Sequence, residues 1–126
     1  MTTFLTFEEV LAIHDTVAEP GGIRDAGAIQ SAVGRPQATV FGEDAYPTIY
    51  EKAGAFLQSL ACNHGWVDGN KRTAWVATLT FLTVNDHPLD PGFDQDAAEE
   101  FMVAVAEGRY TNVADIVGEL VKFTSR

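Results

Sequence analysis

The run Thr73-Ala74-Trp75-Val76-Ala77-Thr78-Leu79-Thr80-Phe81-Leu82 is apolar or small at nearly every position, so a helix formed there has no polar face to offer water. Such a helix must be surrounded by others. The pattern predicts a central buried helix over about 70–84. A membrane span would need about 20 apolar residues, and this run is shorter and carries threonines. With 126 residues and 46% hydrophobic content, the chain can wrap this helix in a single domain, 1–126, and is too short for two.

The rest of the chain reads as the wrapping. Thr6-Phe7-Glu8-Glu9 has capping-box spacing, and Val10, Leu11, Ile13, His14 and Val17 recur on one helical face, giving a first helix to about Ala18. Pro20-Gly21-Gly22 ends it. Asp25 is an N-cap for a short helix through Ile29 and Val33, which must stop near Arg35-Pro36 because the residue before proline avoids the α region. Gln37 to Pro47 is irregular, with Val40 and Phe41 expected as its anchors. Thr48-Ile49-Tyr50-Glu51 is a second capping box, opening a third helix with the stripe Ile49, Ala53, Phe56, Leu57, Leu60, Ala61. Beyond the central helix, Asn85-Asp86-His87-Pro88 is a turn. Asp96-Ala97-Ala98-Glu99 is a third capping signal, before Phe101, Met102, Val105 and a stop at Gly108. A last helix starts at Thr111 or Asn112 and carries Val113, Ile116, Val117, Leu120 and Val121. Only Phe4-Leu5 and Val40-Phe41 hint at extended structure, so the expected class is all-α.

A formal net charge of −10 argues against a surface that wraps nucleic acid or an anionic membrane, since either partner needs a broad basic face. The single cysteine, Cys62, excludes an internal disulfide and multi-cysteine zinc sites, and reads as a small hydrophobe. The start of the chain has no basic segment leading into an apolar run, so the expectation is a soluble, cytoplasmic protein.

Directly before the central helix stands His64-Gly65-Trp66-Val67-Asp68-Gly69-Asn70-Lys71-Arg72. A helix N-terminus offers unpaired N–H groups and partial positive charge, so it binds anions. Gly69 permits a tight turn and Asn70 can cap the helix. Lys71 and Arg72 oppose the helix dipole, a placement justified by a bound polyanion such as phosphate, with Arg72 bidentate and Lys71 a point charge. His64 has two uses, as a capping cation or as a base that takes a proton from a hydroxyl near neutral pH. Asp68 likewise has two, as helix cap or as an oxygen ligand for Mg²⁺ beside nucleotide phosphates. His14 reads as a core or rim histidine and His87 as a turn residue. Arg24-Asp25 and Glu43-Asp44 lie in loops that could reach substrate or nucleotide, but Asp25 reads first as a cap and Glu43-Asp44 as solvated acids; Trp66 and Trp75 read as packing residues, with base stacking a closer alternative for Trp66.

The loop resembles the Fic/Doc signature His-Pro-Phe-x-Asp/Glu-Gly-Asn-Gly/Lys-Arg at His64, Asp68, Gly69, Asn70, Lys71 and Arg72. The resemblance extends through Leu5 to Leu11, Gly22-Ile23-Arg24-Asp25, Arg35 to Thr39, Gly42-Glu43-Asp44 and Tyr46-Pro47-Thr48, which look like the death-on-curing (Doc) branch of type II toxin–antitoxin toxins. That implies a helical bundle with the catalytic loop at the N-terminus of its central helix. It also implies His64 as general base, Asp68 as Mg²⁺ ligand, Gly69 and Asn70 as the anion-binding turn, and Lys71 with Arg72 as phosphate clamp. Lys71, where other Fic proteins have glycine, is similar to Doc toxins, which use ATP and Mg²⁺ to transfer the γ-phosphate to a threonine of elongation factor Tu and arrest translation. AMP transfer to a protein hydroxyl is the rival activity, and a weakened toxin that only binds its antitoxin a third reading. The implied partner is a Phd-like antitoxin whose disordered tail folds on binding. Gly65 stands where the family has proline and Trp66 where it has phenylalanine. Glycine would add backbone freedom of about 0.5–1 kcal/mol and lower activity.

Overall fold

The computed structural model describes residues 1–124. Six α-helices follow in order, α1 (Phe7–Val17), α2 (Ala26–Gly34), α3 (Ile49–Cys62), α4 (Asn70–Val84), α5 (Gln95–Ala106) and α6 (Val113–Leu120), with a 3-10 turn at Arg35–Gln37 and a minimal hairpin of β1 (Thr39–Val40) and β2 (Glu43–Asp44). The class is all-α. Among the described residues no helix is long and apolar enough to cross a membrane.

Helix ends follow local chemistry. Thr6 Oγ1 accepts the Glu9 N–H at 3.1 Å while Glu9 Oε1 accepts the Thr6 N–H at 2.8 Å, and Thr48 and Glu51 repeat this reciprocal box. Asp25 caps α2 and Asn112 caps α6. The cap of α5 is Asp94, not Asp96. Asp94 Oδ1 sits three residues before the N–H it accepts, from Ala97 at 3.1 Å, and Asp96 lies in the first turn, where its charge suits the dipole. After α2 the chain does not simply stop at Pro36 but tightens into the 3-10 turn that proline's fixed φ permits.

Helix α4 lies in the core through Thr73, Ala74, Ala77, Thr78, Phe81 and Leu82, packed on α3 and α1. It shares the centre with α3, which is buried from Lys52 to Ala61 except at Gln58 and touches α2, α4, α5 and α6. Gly54 lets α6 approach closely: a Cβ there would stand 3.0 Å from Val113 Cγ1.

The segment from 37 to 47 corrects an expectation. Val40 and Phe41 do not anchor it; they are 57% and 102% exposed at the hairpin tip, where Phe41 and Gly42 both take positive φ (52° and 80°). A two-residue hairpin turn demands that backbone and turns its side chains outward. The anchors are two cations. Arg35 donates to Tyr46 Oη, Ala55 O, Gln58 Oε1 and Ser59 Oγ at 2.7–3.1 Å, and buried Lys52 donates to Asp44 Oδ2 at 3.1 Å and to the Tyr46 and Pro47 carbonyls.

Candidate active site

The chain from α3 to α4 makes a turn that few sequences tolerate. Asn63 closes α3, and His64 then takes φ 51°, a left-handed conformation uncommon outside glycine though less so for histidine than for most residues. Holding it there costs on the order of 1 kcal/mol or more, and it leaves the imidazole exposed to solvent.

Gly65, next in line, is buried, and the reason for glycine is steric: a Cβ would fall 2.3 Å from Ile29 Cγ1. Its carbonyl accepts the Arg24 N–H at 2.8 Å and the Asp25 N–H at 3.0 Å, and Val67 N–H donates to Gly22 O at 2.7 Å. The freedom that glycine adds to the unfolded chain is thus removed in the folded one by backbone bonds and by Ile29. Trp66 is 1% exposed and stacks on His14, with centroids 4.6 Å apart and planes 5° from parallel. Of its two readings, packing holds and a base-stacking platform does not, because neither face is open.

Asp68 does not cap α4. Its carbonyl accepts from His14 Nε2 at 2.9 Å, while its exposed carboxylate has no partner among the described residues. Asn70 does not cap either: Oδ1 accepts the Trp66 N–H at 3.1 Å and Nδ2 donates to Trp66 O at 2.8 Å, so the amide braces the loop from within. The N-cap is Gly69 at φ 81°, a position where a side chain would also strike Ala18 Cβ at 2.5 Å. No side chain caps α4, whereas Thr6, Asp25, Thr48, Asp94 and Asn112 cap the other five α-helices. Its first N–H groups therefore lack a side-chain acceptor and are open to solvent or a ligand.

His64, Asp68, Gly69, Asn70, Lys71 and Arg72 all line one open cleft of about 1120 Å³. The end of α1 and the residues after it, Thr16 to Pro20, form one wall, and Ala98, Met102, Val103 and Ala106 of α5 give an apolar one. Lys71 is exposed and unpaired among the described residues; Arg72 uses one nitrogen, Nη1, on Val17 O at 2.8 Å. The cleft's carboxylates are Glu19, Asp68 and Glu99, so its side chains are not net positive. Among the described residues no cluster of three or more metal-ligating side chains exists. A Mg²⁺ site would rest on the free Asp68 carboxylate, with phosphate oxygens and water completing the shell, which is how Mg²⁺ is commonly held beside nucleotides. The residues present fit that group and a polyphosphate.

Arg24, Asp25, Glu43, Asp44 and His87 stand outside the cleft. Cys62 donates to Val105 O at 3.1 Å, and burial pushes its thiol pKa up against the pull of Arg35, consistent with a packing role. His14 is the residue whose bearing on the loop the sequence concealed. It lies 54 positions before Asp68, and nothing in its local pattern distinguishes it from a packing histidine.

The family model described as Fic/DOC matches residues 4–82, from before α1 through the whole loop and most of α4. The chain is 49% identical over 127 aligned positions to "Toxin Doc" of Mycolicibacterium smegmatis, covering 99% of this chain and 96% of the relative. It is 32% identical over 119 positions to "Protein kinase doc" of Escherichia phage P1, covering 90% and 91%.

Proposed function

Since the chain belongs to the Fic/DOC family and falls with its Doc toxins, we propose that residues 1–126 form a single domain acting as a cytoplasmic kinase toxin. It would transfer the γ-phosphate of ATP to a serine or threonine hydroxyl of a translation factor, with elongation factor Tu as first candidate, and be neutralised by a Phd-like antitoxin. The observation that carries the reading is the uncapped start of α4, with Lys71 and Arg72 beside it and the free carboxylate of Asp68 and exposed imidazole of His64 in the same cleft. The name of the phage P1 relative, a protein kinase, favours phosphate over AMP transfer.

Phosphoryl transfer asks a protein for positioning and charge neutralisation. The open N–H groups of α4 and the two cations would receive phosphate oxygens, His64 would take the proton from the attacking hydroxyl, and the α5 wall would keep water from one side of the cleft. Asp68 would hold Mg²⁺, which when bound supplies positive charge to the phosphates.

The test is the intact mass of elongation factor Tu after incubation with the protein and Mg·ATP, beside an Asp68→Ala control. A gain of one phosphate, absent with the variant, is expected. A gain of one AMP would replace the kinase by an AMP transferase, and no gain despite Mg·ATP binding would point to another target or to an antitoxin-binding role.

A further inference from the structure

His14 is 2% exposed, and its two nitrogens are treated differently. Nε2 stands 2.9 Å from Asp68 O, and since a carbonyl only accepts, Nε2 carries the proton. Nδ1 is buried and has no hydrogen-bond partner among the described residues; the nearest carboxylate, Asp15 Oδ1, is 3.8 Å away, beyond hydrogen-bond reach. A residue kept only to stack on Trp66 would be better as phenylalanine, which leaves no orphaned nitrogen. The imidazole therefore has a use at Nε2.

That use lies in the peptide between Asp68 and Gly69. Gly69 is left-handed, and because glycine accepts both signs of φ, the peptide before it can flip at little steric cost. In a trans peptide the C=O and the following N–H point in opposite directions, and among the described residues no peptide bond is cis. With the Asp68 carbonyl drawn toward α1 by His14, the Gly69 N–H faces away from α1. A flipped peptide would present a carbonyl there instead, repelling an anion. We infer that His14 is a positioning residue: by holding the Asp68 carbonyl it selects the peptide orientation in which the start of α4 offers N–H groups to phosphate. Ala18, whose Cβ approaches the Gly69 position, and Val17 O, which takes Arg72 Nη1, make the last turn of α1 the bracket in which His14 acts.

This inference rests on the phosphate-binding reading of the cleft, so the experiment separates the two. Mg·ATP affinity is measured by calorimetry, and the Gly69 amide by NMR with and without Mg·ATP, for the wild type, His14→Phe and a Lys71→Ala/Arg72→Ala double variant. His14→Phe keeps a ring against Trp66 and removes both the donor and the orphan. The expected result is an unchanged or higher melting temperature, Mg·ATP binding weaker by about tenfold, and a Gly69 amide that no longer shifts with nucleotide. Wild-type affinity and a wild-type Gly69 shift in folded His14→Phe, with binding lost in the double variant, would overturn the role of His14 and leave the site reading standing. Undiminished binding in the double variant would overturn the site reading and the inference with it. If His14→Phe does not fold, His14→Gln and His14→Met, matched in length and differing in the donor, decide: tighter binding by the glutamine variant supports the inference, and equal binding overturns it.

Discussion

Two pairs of cations, Arg35 with Lys52 and Lys71 with Arg72, differ in their surroundings. Arg35 and Lys52 fasten the 35–47 segment to α3, their nitrogens directed at carbonyls, hydroxyls, an amide and one carboxylate. Lys71 and Arg72, in the first turn of α4, are exposed, and among the described residues their side chains share a single bond to protein, from Arg72 to Val17 O. A cation supplied with acceptors has been spent on the fold. One placed against its helix dipole, with its donors left over, is available to a ligand. Neither type of residue nor charge separates the pairs; only the acceptors around them do.

The contrast can be tested from either side. The largest effect is expected from Arg72→Ala, which should slow transfer about 100-fold in an assay of phosphate incorporation, while the melting temperature stays near that of the wild type because the residue is exposed. A comparable loss of stability would mean that Arg72, too, serves the fold. The converse variant, Arg35→Ala, strands the Gln58 and Ser59 side chains and the Ala55 carbonyl. It should cost about 2 kcal/mol, seen as a melting temperature lower by roughly 5–10 °C, with activity per folded molecule kept. Selective loss of activity without loss of stability would blur the distinction.

The loop gives a smaller effect. Gly65→Ala presses a methyl group into Ile29 and should cost about 1–3 kcal/mol in denaturant unfolding. Adding Ile29→Ala should cost less than the sum of the two single changes, since the clash is then relieved. Strict additivity would show that Gly65 and Ile29 do not meet. The smallest effect concerns Cys62, beside the same loop. Its thiol pKa is raised, so the folded chain keeps a proton that the unfolded chain releases. The stability this contributes is present below the ordinary thiol pKa and is lost as pH rises through the higher folded value. Alkylation of the native protein at neutral pH should accordingly be slower than that of the unfolded chain.

Much of this was legible locally. The boxes at Thr6-Glu9 and Thr48-Glu51, the cap at Asp25 and the opening of α4 after Gly69 each depend on residues within a turn of one another, and sequence spacing reports that distance directly. That His64, Asp68, Lys71 and Arg72 would stand together was legible for the same reason, since His64 to Arg72 is one continuous stretch. Asp94 and Asp96, two positions apart, satisfy the same local capping rule, and only the folded backbone chooses Asp94. Val40 and Phe41 misled because apolar character alone does not say which way a hairpin tip faces.

By itself, then, the sequence determined an all-α chain with a loop of His64, Asp68, Lys71 and Arg72 at the start of a buried helix, because those features are written in short-range spacing. The tertiary structure decided what the loop's parts do. Asn70 turns inward to Trp66, Asp68 leaves its carboxylate free, Gly65 yields to Ile29, and His14 reaches the Asp68 carbonyl. The last two contacts join residues 36 and 54 positions apart; they exist only once α1 and α2 have packed against the loop, and no local pattern encodes a distance across a core.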